Sequence, residues 1–134
     1  MRIIAYLHNK KEIRDKWLSV LLPVLIKEET IYLKTLKVIP SFHKQNLFND
    51  ALAVFSLETQ RHLDRLLEVE SLLKSIPLIL ILPNQKKNTI ALAHRLLPRF
   101  LTFSDDDPGR VAAVLKKMIE KNDKRGGERH GRRQ

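Results

Sequence analysis

Apolar positions along the chain fall into two rhythms, short continuous runs and longer stretches with a repeat of three and four. Residues 2–7 (RIIAYL) are an apolar run rich in strand formers. Residues 12–26 then place Ile13, Trp17, Val20, Leu21 and Val24 at helical spacing, with Pro23 expected to end or kink the helix. Residues 30–36 (TIYLKTL) are β-branched and alternating, as in a strand. Ser41 is placed to cap a short helix through Phe48. Residues 51–57 (ALAVFSL) are a buried type of strand, and 59–75 form a helix with Leu63, Leu66, Leu67 and Leu73 on one side. Residues 77–82 (PLILIL) are almost wholly apolar, as a strand covered on both faces must be. A helix over 88–97 turns Ile90, Ala93, Leu96 and Leu97 inward, and 99–103 (RFLTF) make a fifth strand. Asp107 and Pro108 then supply the N-cap and first position of a last helix, whose inner stripe is Val111, Val114, Leu115 and Met118.

Strands alternating with helices at this spacing imply a parallel sheet with right-handed crossovers and helices on both faces. The expected fold is α/β, a single doubly wound five-stranded parallel sheet in the flavodoxin-like order 2-1-3-4-5. Ligands of such folds sit at the carboxyl ends of the strands. Chemistry is therefore to be sought after Leu7, Leu57, Leu82 and Phe103.

Composition narrows the classes. A chain of 134 residues, 43% hydrophobic, is one domain with a real core. No apolar run is long enough to span a bilayer. With no cysteine there are no disulfides, thiolate metal sites or cysteine nucleophiles, and a cytoplasmic location is expected. The net charge is +10, and residues 121–134 hold six basic residues against Asp123 and Glu128, or +4 of it. That end has three of the four glycines and no large apolar residue. The expected division is a body over 1–121 and a disordered basic tail over 122–134.

Two segments carry a resemblance. SIPLILILP (75–83) is similar to the fourth strand, and LPRFLTFSDDDPGRVAAVLKKMI (97–119) to the fifth strand and last helix, of the receiver domains of two-component response regulators. The resemblance covers roughly residues 2–121. It implies signal transduction through a pocket in which an acid pair after strand one holds Mg²⁺ and an Asp ending strand three accepts a phosphoryl group. A Thr or Ser ends strand four, and a Lys ends strand five. Carried over by position, the acid pair falls on Leu7 and His8, the acceptor on Phe55 or Ser56, the hydroxyl on Leu82 and the Lys on Phe103. None keeps the family's residue. Mg²⁺ wants hard oxygen ligands, which leucine lacks, and a serine hydroxyl without a base does not replace an aspartate acceptor. The chain thus resembles a pseudo-receiver, with the scaffold kept and the aspartyl-phosphate switch gone. No cofactor and no metal are expected. The family's docking face, formed by its fourth helix, fifth strand and fifth helix, would here include Arg95, Arg99, Arg110 and Lys117.

Other residues admit a chemical and a structural reading. His8 with Asn9 sits at a strand end, as a ligand group or as a loop residue satisfying a backbone carbonyl. Ser56 with Glu58 and Thr59 is either a hydroxyl near a carboxylate or the cap of the next helix. Asp105, Asp106 and Asp107 either chelate a cation or open a helix whose dipole favours anions. His43, His62 and His94 lack zinc spacing, and no glycine-rich phosphate loop is present. Lys10, Lys11, Lys86 and Lys87 fall near the carboxyl edge, as an acidic partner's docking site or as a solvated rim.

Three functions follow. The first is a non-phosphorylatable receiver-like module that binds an unidentified signalling protein or a second copy of itself. The second is a nucleic-acid-associated protein, driven by the basic body and tail. The third is an enzyme assembled from His8, Ser56 and the 105–107 acids, which requires groups from separate strand ends to converge.

Overall fold

The computed structural model describes the backbone of residues 1–133 and the side chains of residues 1–122. The strands are β1 (Arg2–Tyr6), β2 (Glu29–Tyr32), β3 (Ala51–Ser56), β4 (Leu78–Leu82) and β5 (Phe100–Phe103). The helices are α1 (Lys11–Leu25), α2 (Ile39–Lys44), α3 (Gln60–Glu68), α4 (Glu70–Leu73), α5 (Lys87–His94) and α6 (Pro108–Arg133), with a 3₁₀ turn over Leu36–Val38. All strand pairs are parallel, and their order is β2-β1-β3-β4-β5. This is the α/β, doubly wound, flavodoxin-like sheet that the alternation of runs implied.

Side-chain parity along the strands builds two cores. Ile4, Tyr6, Ala53, Phe55, Leu78, Leu80 and Leu82 face one side and pack against Ile39, Leu63, Leu66, Leu73 and Ala93 of α2 to α5. Ile3, Leu52, Val54, Ile79 and Ile81 face the other and pack against Trp17, Leu21 and Leu25 of α1 and Val111, Leu115 and Ile119 of α6. Every residue of β3 and β4 is buried. Such strands read as continuous apolar runs, which is why both were legible as runs.

Several boundaries differ from the sequence reading. α1 continues two residues past Pro23, which lies so near the helix end that the lost hydrogen bond and the ring's clash disturb only its last turn. β2 stops at Tyr32, and Leu36 instead opens the 3₁₀ turn, where the Thr35 hydroxyl accepts from the Lys37 N–H. Ser41 does not cap α2: the helix starts two residues earlier, at Ile39, with Pro40 in its first turn. The helix expected over 59–75 is broken at Val69, whose φ of −115° and ψ of 22° leave the helical region. Val69 is β-branched and therefore a weak helix former, and no glycine or proline marks the break. Asp107 does cap α6, its carboxylate accepting from the Gly109 N–H at 2.9 Å. The expected tail over 122–134 falls almost wholly outside the residues whose side chains are described.

Tertiary contacts close the carboxyl edge. The Trp17 indole N–H donates to the Ser104 carbonyl at 3.1 Å, and Lys16 Nζ lies 3.4 Å from the same oxygen. α1 is thereby tied to the loop between β5 and α6, on top of the apolar packing the two helices share.

Candidate functional site

The carboxyl edge of the sheet gathers the residues singled out in the sequence, though not as one polar constellation. β3 ends at Ser56, with Phe55 opposite Tyr6 of β1 and Ser56 opposite Ile81 of β4. Ile81 in turn lies opposite Thr102, and Leu82 opposite Phe103. Ser56 therefore shares a row with Ile81 and Thr102 on the side that α1 and α6 cover, while Phe55 packs into the opposite core. Leu82 is fully buried, whereas Leu7 and Phe103 are half-buried. Ser56 is buried, and its hydroxyl has no hydrogen-bond partner among the described residues. No imidazole or carboxylate is within reach to activate it, so the structure does not bring His8 and Ser56 together as a nucleophile and base.

His8 is 5% exposed, and its Nδ1 accepts from the Lys10 N–H at 3.1 Å. The expected bond to a carbonyl is thus replaced by a bond from an N–H, because the chain turns back over the ring before α1 begins. Thr59 occupies the N-cap position of α3 without a side-chain cap bond, and Ser56 makes none either. The cap comes from further on: His62 Nδ1 accepts from the Glu58 N–H at 3.2 Å. A side chain in the first helical turn reaching back to an N–H before the helix is the geometry of a capping box, here with histidine.

That bond fixes a second feature which the sequence reading passed over. With Nδ1 accepting, neutral His62 carries its proton on Nε2, which lies 3.4 Å from the Tyr6 hydroxyl oxygen. The two rings meet edge to face, with centroids 5.5 Å apart. Burial raises the Tyr6 hydroxyl above the ordinary phenol value, opposed by a hydrogen bond from Asn9 and reinforced by Glu58. Burial likewise lowers both His62 and His8, against the pull of Glu58. The legible signal was the four-residue spacing of Glu58 and His62; that Tyr6 belongs with them depends on strand pairing.

Two of the three aspartates are consumed by local structure. Asp106 accepts from the Thr102 hydroxyl, from the Asp107 N–H at 2.7 Å and from Arg110 at 2.8 Å. The Thr102 bond, the backbone bond and Arg110 hold its carboxyl below the ordinary value. Asp107 caps α6. Among the described residues no cluster of three metal-ligating side chains forms.

On the expected docking face, Arg95 pairs with Glu70 at 2.7 Å, and Arg110 pairs with Asp106 while its guanidinium lies over the Phe100 ring at 5.8 Å. Arg99 and Lys117 have no carboxylate partner among the described residues. Between Arg95 and Arg99, Leu97 is 72% exposed and holds a φ of 53°. Lys10 and Lys86 sit at the N-cap positions of α1 and α5, and Lys11 and Lys87 are the first residues of those helices, all four exposed at the carboxyl edge. Side chains of the basic tail lie outside the described residues, and with them the nucleic-acid reading.

No protein-family model and no characterised protein sequence matches the chain. Solved structures do. A response regulator receiver domain protein (CheY-like) from Methanospirillum hungatei JF-1 superposes with a TM-score of 0.63 at 17% identity, covering 95% of this chain and 97% of that one. FixJ-N superposes with a TM-score of 0.58 at 11% identity, covering 91% and 93%. A protein of Burkholderia pseudomallei K96243 described as pilus assembly-related gives a TM-score of 0.64 at 12% identity, covering 87% of each chain. The chain has a receiver-like fold. At these identities the likeness concerns the backbone path, as the Leu7, His8 and Phe103 positions already imply.

Two outcomes are expected at this edge. Ser56→Ala removes a buried hydroxyl that has no partner, so unfolding free energy stays level or rises by up to about 1 kcal/mol in urea denaturation; a loss of that size shows a bond the structure lacks. His8 and His62 have folded values below the ordinary 6.5. The stability they contribute is therefore present above that value and is lost as pH falls through their lower folded values. The urea midpoint falls between about pH 7.5 and about pH 5, and falls less in the His8→Gln/His62→Gln variant. An equal fall in both chains contradicts the assignment.

Proposed function

We propose that this chain is a signalling module of receiver-like fold that works by binding another protein without being phosphorylated, as a cytoplasmic binding module and not an enzyme. The observation that carries the reading is the set of side chains at the strand ends. Leu7, His8, Phe55, Ser56, Leu82 and Phe103 offer no carboxylate and no ammonium. A divalent cation would meet no hard anionic ligand from these side chains, and a phosphoryl group would meet no cation from Phe103, while the Lys16 ammonium close by is engaged by the Ser104 carbonyl. That one structural neighbour is described as pilus assembly-related and not as a response regulator is in keeping with a fold used beyond phosphotransfer.

The surface that suits docking is the face of α5, β5 and α6, with Arg95, Arg99, Arg110 and Lys117. Leu97 supports this choice. A leucine with φ near 53° carries a steric cost that glycine avoids, of order 1–2 kcal/mol. It does so while exposing most of its side chain to water. A strained, exposed apolar residue flanked by two arginines suits an anchor with a charged rim. The partner is another signalling protein or a second copy of the chain.

The test is to incubate the purified chain with acetyl phosphate and Mg²⁺, then compare intact mass and sedimentation with the untreated protein. Both are expected to be unchanged. A phosphoryl adduct accompanied by a change in sedimentation contradicts the proposal.

A further inference from the structure

A second cleft, separate from the α5–β5–α6 face, lies where the ends of β1 and β2 meet the start of α3. It measures about 170 Å³ and is lined by Tyr6, Thr35, Leu36, Lys37, Arg61, His62 and Arg65. β1 and β3 are neighbours although β1 feeds a helix on one face and β3 a helix on the other. This is the switch point at which doubly wound sheets open a crevice for ligands.

The charges here are placed against the interests of the isolated fold. Arg61 lies in the first turn of α3, where the helix dipole favours anions, and that turn holds no acidic residue. Arg65 is one turn further on, so like charges stand at a spacing that costs a helix a few tenths of a kcal/mol. Neither arginine, nor Lys37, forms an ion pair among the described residues. Asp64, between the two arginines in sequence, is engaged by Gln60 instead.

Beside these cations stands a neutral donor with its proton to spare. The Tyr6 oxygen is met by His62 Nε2, whose proton is fixed there by the Glu58 N–H bond at Nδ1. One lone pair is thereby occupied, and its own O–H is left to donate into the cleft that Tyr6 lines. Tyr6 is 3% exposed, so the donor is held by the core.

We propose that this cleft binds a single phosphate group, free or as the terminus of a small monoester, between Lys37, Arg61 and Arg65 with the Tyr6 hydroxyl as a fourth donor. The volume selects for one such group, since pockets for larger ligands run from about 300 to 1,000 Å³. Three cations and a hydroxyl match a dianion with several acceptor oxygens better than a monoanionic carboxylate, and arginine forks suit phosphate oxygens. The site uses none of the positions where the receiver resemblance places phosphoryl chemistry, and binding involves no covalent step.

Amide NMR of the full chain, titrated separately with inorganic phosphate and with glycerol 3-phosphate at fixed ionic strength, tests this. Saturable shifts are expected for Lys37, Glu58, Arg61 and His62 with at least one of the two, and which one binds tells the free ion from the monoester. Arg61→Gln/Arg65→Gln, which alters exposed side chains, should weaken binding by about tenfold or more while the rest of its spectrum overlays the wild type. Tyr6→Phe should weaken it several-fold. Shifts that drift without saturating for both ligands, or unchanged affinity in the double arginine variant, overturn the proposal.

Discussion

The rest of this structure depends on the exclusion of water from both faces of β3 and β4. A strand buried on both faces must satisfy its backbone through its neighbours and its side chains through two layers of helix. Once ALAVFS and LILIL take up that position, α1 and α6 must cover one face and α2 to α5 the other. Parallel strands then send all their loops after the carboxyl ends to one edge. There the loops are free to present polar groups, and the Trp17 bond to Ser104 ties α1 to the loop after β5.

The polar groups at the edge fall into local sets, each serving its own loop or helix start. Asp106 and Asp107 organise the entry to α6, His8 ties the turn before α1, and His62 caps α3. Ser56 is left alone in the middle, sharing its row with Ile81 and Thr102. A phosphotransfer site needs the reverse, with charged groups from several strand ends converging on one point. Here the charged residues are displaced outward: to Lys10, Lys11, Lys86 and Lys87 at helix starts, to Arg61 and Arg65 along α3, and to the arginines around Leu97.

Sheet order and most of both cores were legible because they depend on runs and periods, which survive in a single sequence; Leu97 and Val20, expected inward, are exposed, Leu97 because α5 ends at His94 before reaching it. PLILIL read as a central strand, and the Asp107-Pro108 pair as a helix start. What escaped has physical causes. Val69 breaks a helix without a breaker residue, since the break is decided by tertiary packing. Ser41 looked like a cap, but Pro40 had already fixed the backbone for helix at the residue before it. The Tyr6–His62 contact joins residues 56 positions apart in the chain and is created by the pairing of β1 with β3. The ion pair of Arg95 with Glu70 likewise joins distant segments, and with the local Arg110–Asp106 pair it leaves the docking face less free charge than its residues suggest.

The central claim is that the scaffold of a phosphorylation switch persists without the switch. Its most direct test is the amide spectrum of the chain in Mg²⁺ as beryllofluoride, a mimic of a phosphoryl group on aspartate, is added. The account predicts that the signals of Leu7, Ser56, Leu82 and Phe103 stay in place. Saturable movement of those signals, dependent on Mg²⁺, would show a working acceptor pocket and contradict it.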